Sequence, residues 1–531
     1  MASKESEAMT KSSSNENSAF ADEGLAVVVK HVIEELQELY LWDEVPWIVG
    51  YSGGKDSSAV LQLVWLAISK LPPEKRTKPV HVISTDTLVE QPMVAAWVDA
   101  SHAKMRAAAA EQGLPITPHK LTPDTKDSFW VNLIGKGYPA PRKKFRWCTE
   151  RMKINPSNRF IRDVVRQSGE AMLLLGTRKQ ESQRRARTMA EHDKKKIRDR
   201  LTPNASLPNS MVYTPIEDWT NDDVWLFLMQ VKNPWGHTNK SLLGMYQGAS
   251  ADGECPLVVD TTTPSCGTSR FGCWTCTLVD QDRSMEAMIK NDDEKLWMTP
   301  LLEFRNELGD FKNEATRRDY RRMNGNVFLG TNKSSGDRYL VRGPYRPKWR
   351  QHWLRRLLEV QEEIRKIGPP EVAQIELIAM DELHEIRRIW LHEKHEFEDA
   401  VPVIYQEVTG KTFACVDADD RLLGREEWSI LNEICGDDEE FLQLQMQLLD
   451  IERKYRSMSR RSGVFDDLES CLKKAQFESE EEAIAARQDQ EERRRRIEDP
   501  NANPMPQSGM LFNFDELDEP DVFQIGEGKN V

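Results

Sequence analysis

Apolar residues along the first half of the chain alternate between two rhythms. Leu25 to Leu41 places Val28, Val29, Val32, Ile33, Leu36 and Leu39 at helical spacing, and Trp47-Ile48-Val49 is an unbroken apolar run of the kind that forms a buried strand. Helical spacing returns through Val60, Leu61, Val64 and Leu66. Val80 to Thr85 predicts a second strand ending at Asp86, Met93 to Glu111 an Ala-rich helix, and Ile116 to Leu121 a third strand. Asn155-Pro156 predicts a helix start, with Asn as cap and Pro at the first helical position, running to Gln167. Ala171 to Thr177 and Met211 to Ile216 read as further strands. Strands alternating with helices predict an α/β fold, a parallel sheet flanked by helices with ligands beyond the carboxyl ends of its strands.

The pattern then changes. Thr220 caps a helix through Val224, Leu226 and Phe227, after which Asn233 to Asp280 is rich in Gly, Pro, Thr and Cys with little periodicity. From Glu286 helical patterns dominate, notably Trp349 to Ile367, Val372 to Glu398 and Gln443 to Ser457. The expected organisation is a disordered lead over 1–20 and a nucleotide domain over 21–232 with a charged insertion from Glu191 to Pro208. A cysteine-rich loop over 233–285, a helical region over 286–476 and a disordered acidic tail over 477–531 follow. Met510 to Leu517 in that tail resembles a short partner-docking segment.

Between the first strand and its helix lies Ser52-Gly53-Gly54-Lys55-Asp56-Ser57-Ser58. Glycines let backbone approach a ligand, and N–H groups at a helix start point at an anion, so strand, turn and helix make a phosphate cradle. The spacing is neither that of a Walker A loop nor G-x-G-x-x-G. Arg178 and Arg184 follow the Ala171 strand and can grip phosphate with planar guanidinium forks; Glu181 can pair with them or help hold Mg²⁺. Asp86 can contact ribose or a metal, or be a plain turn residue. His392-Glu393-Lys394-His395 is one residue too short for a zinc-protease H-E-x-x-H.

The 531 residues carry a net charge of −14, which argues against general affinity for nucleic acid. Phe311 to Val360 is the exception, with 13 Lys+Arg against 4 Asp+Glu; it is either a basic face for a polyanion or a solvated helical surface. No apolar run reaches the roughly 18 residues of a membrane helix. Nor does the polar segment from Met1 to Asn17 contain the apolar core of a secretory signal, so a cytoplasmic location is expected. Four of the eight cysteines, Cys255, Cys266, Cys273 and Cys276, fall within 22 residues. One C-x2-C pair with irregular spacing favours an iron–sulfur cluster over a zinc ribbon. Cys148 is flanked by Arg142, Lys143, Lys144, Arg146 and Arg151, cations that lower a thiol pKa; it is a candidate sulfur acceptor, cluster ligand or core cysteine.

The Ser52–Ser58 turn, Arg146-Trp147-Cys148-Thr149 with Lys153-Ile154, Gly176 to Arg184, and Cys266 to Cys276 together resemble the phosphoadenosine-phosphosulfate-reductase-like branch of the pyrophosphate-loop ATPases. Within it the chain is similar to the sulfurtransferases of DNA phosphorothioation. The resemblance covers about Leu25 to Asp280 and implies ATP and Mg²⁺, a [4Fe-4S] cluster, a cysteine desulfurase as sulfur donor, and other subunits of a DNA-modifying complex. It implies cleavage of ATP to AMP and pyrophosphate, with Lys55, Asp56, Arg178, Arg184 and Cys148 in catalytic roles. Ser52 to Ser58, Asp86 and Glu181 would lie around the nucleotide, and Cys255, Cys266, Cys273 and Cys276 around the cluster. Three rivals are a sulfonucleotide reductase, a tRNA-thiolating enzyme and a non-catalytic nucleotide-sensing subunit. The first needs a catalytic cysteine near its C-terminus; here the last is Cys471.

Overall fold

The structure, a computed structural model, describes residues 18–143, 145–181, 187, 189, 201–204, 207–249, 271–332, 336–414, 424–436, 438–456, 458–477 and 479–498. It divides into two compact units. One comprises Met1–Asn326 with Val341–Gln476, the other Val327–Leu340 with Phe477–Val531.

The larger unit opens with α1 (Leu25–Trp42), whose Val29, Val32, Ile33, Leu36 and Tyr40 form one buried stripe. There follow β1 (Trp47–Gly50), α2 (Lys55–Ser69), β2 (Val80–Thr85), α3 (Pro92–Glu111) and β3 (Ile116–Leu121). Then come β4 (Ala171–Leu174), the two-residue β5 (Thr202–Pro203) and β6 (Ser210–Tyr213). The sheet order is β3-β2-β1-β4-β6-β5, parallel except that β5 runs antiparallel to β6. From β1 the chain builds outward to β3 and then returns to lay β4 on the other side of β1. That reversal opens a crevice at the carboxyl ends of β1 and β4, where open α/β sheets bind ligands. Trp47, Ile48 and Val49 are all but inaccessible to solvent, as a central strand covered on both faces requires.

Several expectations change. The helix expected from Asn155 begins earlier: a short turn at Trp147–Thr149 passes through a π-turn, Glu150–Ile154, into α4 (Asn155–Ser168). Asn155 is helical rather than a cap. Pro156 has no N–H and its ring crowds the carbonyl four residues back, and the wider π-turn upstream absorbs that mismatch. Part of the expected charged insertion is strand β5. The aperiodic stretch contains α6 (Asn239–Gly248), after α5 (Asn221–Gln230), whose capping box joins Thr220 to Asp223. Val372 to Glu398 is not one helix: Met380–Arg388 runs into a π-turn at Ile389–Glu393, and His395 and Asp399 adopt positive φ.

Two large apolar cores fill the unit. The first packs α1, α2, the sheet, α5 and α6 together. The second joins Phe129, Trp130 and Leu133 to Trp274 and to helices Arg283–Asn291, Thr299–Leu308, Pro347–Ile367 and Ala400–Thr409. Two indoles bolt this second core: Trp130 Nε1 donates to the Leu377 carbonyl at 2.7 Å, and Trp390 Nε1 to that of Ile134 at 3.1 Å. The helical region expected over 286–476 therefore shares a core with residues that precede α4. The basic stretch takes a third course. Arg317, Arg318, Arg321 and Arg350 are buried and act as internal braces, Arg318 on the Gly343 carbonyl (2.7 Å), Arg321 on Asp319 and Glu440, and Arg350 on Glu396.

The smaller unit is a hairpin, Leu329–Thr331 with Arg338–Leu340, and a helix, Glu480–Glu498. Arg338 pairs with Glu491 at 2.5 Å. Residues 480–498 of the expected disordered tail are thus helical; Met510 to Leu517 lies outside the described residues. No helix among the described residues is long and apolar enough to cross a membrane.

Candidate nucleotide and sulfur site

The turn after β1 is built for close approach. Gly53 has φ +74°, and a Cβ there would stand 2.7 Å from Val98. A helix leaves its first N–H groups without intrahelical acceptors, and here they belong to Lys55, Asp56 and Ser57. Side chains lock the turn: the Ser57 hydroxyl donates to the Gly54 carbonyl (3.0 Å) and accepts the Ser52 N–H (3.2 Å). Ser58 is buried within α2.

Gly176, just beyond β4, supplies the opposite wall. A Cβ on it would lie 2.9 Å from the Asp56 backbone carbonyl and 3.1 Å from the Ser57 nitrogen, so only glycine lets this strand end meet the start of α2. Arg178 follows. Its Nε donates to Asp56 Oδ1 at 2.6 Å and one Nη to the Trp219 carbonyl at 3.2 Å; its backbone N–H donates to Glu181 Oε1 at 3.2 Å. Asp56 Oδ2 receives Lys55 Nζ at 3.1 Å. Lys55 and Arg178 are only 7% and 4% exposed. Two buried cations thus share the Asp56 carboxylate at a helix N-terminus, with the Glu181 carboxylate on the Arg178 backbone, so the positive end of the helix dipole is the charge left for an anion.

The other expected residues fare unequally. Asp86 accepts the Leu88 N–H (2.8 Å) and pairs with Lys120 (2.9 Å). Arg184, Cys255 and Cys266 lie outside the described residues. Cys273 and Cys276 share one turn, with the Cys276 N–H donating to the Cys273 carbonyl at 3.0 Å. This turn is stitched to the loop after β2: Trp274 N–H donates to the Val89 carbonyl at 3.0 Å, and Thr87 Oγ1 stands 3.2 Å from Cys273 Sγ. Cys148 packs against the same core as Cys273 and feels the Cys276 thiol electrostatically.

Flanking cations do not make Cys148 a ready thiolate. Arg142 is held by Glu314 and the Phe311 ring, and Arg151 by Asn132 and Tyr138. Burial pushes the Cys148 thiol up instead. Burial, with the Glu90 carboxylate beside it, pushes Cys273 up to about 12. Burial works against the Lys153 ammonium as well, but Cys273 and Glu90 outweigh it and raise Lys153 to about 12; its Nζ is 3.3 Å from Glu90. Among the described residues no group of three or more His, Cys, Asp or Glu is placed to hold a metal ion.

Residues 46–279, which span the cradle, Arg178, Cys148 and all four clustered cysteines, match the family model of the phosphoadenosine phosphosulfate reductase domain. The match covers somewhat less than half of the chain and is what this stretch is similar to. An uncharacterized protein of Methanocaldococcus jannaschii is 24% identical over 268 residues, covering 50% of this chain and 43% of that protein. The chain therefore spans less than half the length of that curated relative. A crystal structure of phosphoadenylyl-sulfate reductase from Candida auris, in complex with phosphate, is 16% identical and covers 39% of this chain and 86% of that one, at a TM-score of 0.25.

Sequence reading missed Glu90, Lys153, Gly176 and Tyr246 as parts of the site. Gly176 and Lys153 stand inside the motifs that carry the resemblance. Tyr246 sits on α6, where no periodicity signalled a helix.

Proposed function

We propose that the chain is an ATP-dependent sulfurtransferase of the DndC type, acting in DNA phosphorothioation. The observation that carries this is Asp56 bridging Lys55 and Arg178 at the reversal point of the sheet. An anion entering there would meet two buried cations and the first amides of α2, the equipment for stabilising a departing pyrophosphate. The family match over 46–279 supports the association with nucleotide sulfur chemistry.

A non-bridging phosphate oxygen is a poor leaving group. Its attack on the α-phosphorus of ATP expels pyrophosphate into the cradle and makes the oxygen part of AMP. A sulfur nucleophile, either hydrosulfide or a cysteine persulfide whose S–S bond a thiol reductant then cleaves, would attack the DNA phosphorus, forming P–S as AMP departs with that oxygen. Lys55 and Arg178, with Arg184, would offset the charge on pyrophosphate, and Glu181 would help hold the Mg²⁺ that accompanies the phosphates. Soft thiolates are the donors an iron–sulfur cluster takes; Cys273 and Cys276 fit that chemistry, with Cys255 and Cys266 completing the set and electron transfer as what a bound cluster would supply. Cys148 beside them is the candidate sulfur carrier or a further ligand. A cysteine desulfurase as sulfur donor, partner subunits and a cytoplasmic setting belong to the same proposal.

One observation favours this over a sulfonucleotide reductase. Cys471 is 3% exposed and packed against Ile451 and Tyr455, so it is a core residue rather than a mobile nucleophile. The test is reconstitution with cysteine, a cysteine desulfurase, Mg-ATP and duplex DNA, then nuclease digestion and mass spectrometry. Phosphorothioate dinucleotides that vanish in Lys55→Ala support the proposal; sulfite released from a sulfonucleotide, with unmodified DNA, would refute it.

A further inference from the structure

Tyr246 stands over the cradle because α6 is registered against α2. Buried Asn239, at the start of α6, exchanges bonds with Gln62 of α2 (2.9 and 3.3 Å) and also donates to the Leu228 carbonyl at 2.7 Å. Gln62 follows Lys55 by seven residues, and Tyr246 follows Asn239 by seven. The two helices run antiparallel, so fixing one pair fixes the other. The Tyr246 hydroxyl accepts the Lys55 N–H at 3.4 Å, a Cβ on Gly54 would lie 3.3 Å from it, and Lys55 Nζ is 5.6 Å from the ring centroid. The ring is wedged edge-on between Trp225 (5.1 Å) and Phe271 (4.8 Å). Phe271 is two residues before Cys273, and the Gly272 carbonyl between them accepts the Gln91 N–H at 3.3 Å.

We infer that Tyr246 is a positioning residue: it holds the Lys55 amide in the anion-free protein, yields that amide to phosphate, and through Phe271 carries the change to the Cys273–Cys276 turn. This rests on the cradle being a pyrophosphate seat. A helix N-terminal amide prefers an anion to a neutral hydroxyl, because a charge-assisted bond is shorter and roughly twice as strong. The present bond is long for its kind, so the exchange runs downhill. A close-packed ring cannot shift alone, and its edge contact with Phe271 leads to the cysteine segment.

The test uses the full-length chain, calorimetric titration with inorganic pyrophosphate, and hydrogen exchange at the amides of 271–277 with and without it. Tyr246→Phe keeps the ring but removes the acceptor from the Lys55 amide before binding, so pyrophosphate is expected to bind about two- to threefold tighter, the worth of one weak hydrogen bond. Phe271→Leu is expected to bind pyrophosphate within about twofold of the parent, while the several-fold change in exchange that pyrophosphate causes at Trp274 and Cys276 in the parent disappears. Circular dichroism and melting establish that both variants are folded. Equal or weaker binding by folded Tyr246→Phe overturns the positioning role, and an exchange response that survives Phe271→Leu overturns the route. A parent that binds no pyrophosphate overturns the cradle reading, and this inference with it.

Discussion

Around Ser52–Ser58 every buried cation has a carboxylate or carbonyl against it: Lys55 on Asp56, Arg178 on Asp56 and Trp219. Around Cys148, Cys273 and Cys276 the cations are likewise partnered, Lys153 by Glu90 and Arg142 by Glu314, and what sets the region apart is its thiols. Two thiols have their protonated forms favoured by burial, and one lysine is held charged by Glu90 and the thiol beside it. The cradle is a finished electrostatic unit that needs only its anion. On the reading proposed above, the cysteine segment would bind a metal only by giving up thiol protons that burial favours, so its ligand and its pH are linked. Loss of a residue should therefore cost the fold in the first region and cost ligand occupancy in the second.

The largest effect is expected for Arg178→Ala. It strips Asp56 of one of its two cations and leaves the Trp219 carbonyl unpaired; urea melts should show a loss of about 3 kcal/mol or more, and ATP-dependent pyrophosphate release should fall by at least about 100-fold. Next is an acid limb in stability. Burial holds His102 down to about 4, while its ring bonds to the Ser84 hydroxyl, which in turn supports the Tyr51 carbonyl beneath the cradle. A histidine depressed by folding is neutral when native and takes up protons when unfolded. Its contribution is present above about pH 6.5 and is lost as pH falls towards 4, on the order of 3 kcal/mol across that window. Melting at a series of pH values should show the limb in the parent and flatten it in His102→Gln. Gly176→Ala should cost about 1–3 kcal/mol by forcing two backbones apart, and weaken pyrophosphate binding as it does so. The smallest stability change belongs to the other region: Cys273→Ser and Cys276→Ser should shift the melting of metal-free protein by no more than about 1 kcal/mol, yet abolish iron loading by anaerobic reconstitution. Iron retained by either variant would show that the two regions do not differ in this way.

That contrast also explains what could be read from the chain. Strands β1 and β4 were visible because a central parallel strand covered on both faces demands an unbroken apolar run, and the cradle because a helix opening on glycines has few other uses. The break after Arg388 was not visible: the apolar spacing continues through Trp390 and Leu391, and only tertiary packing against Ile134 bends it into a π-turn. The basic stretch misled because counting charges cannot tell an arginine facing solvent from one folded onto a carbonyl, as Arg318 is. Tyr246 was hidden for a related reason. Its helix is held by Asn239 and Gln62, a polar pair that leaves no periodic trace, and its role depends on a register between helices far apart in sequence.

The most direct measurement is the identity of the nucleotide products. The chain with the partner subunits proposed for it, Mg-ATP carrying an isotopic label in the α-phosphate, and DNA should yield labelled AMP with unlabelled pyrophosphate, and Lys55→Ala should yield neither. Labelled ADP with orthophosphate would contradict the account, because a cradle that grips the two terminal phosphates as a leaving pair cannot produce it.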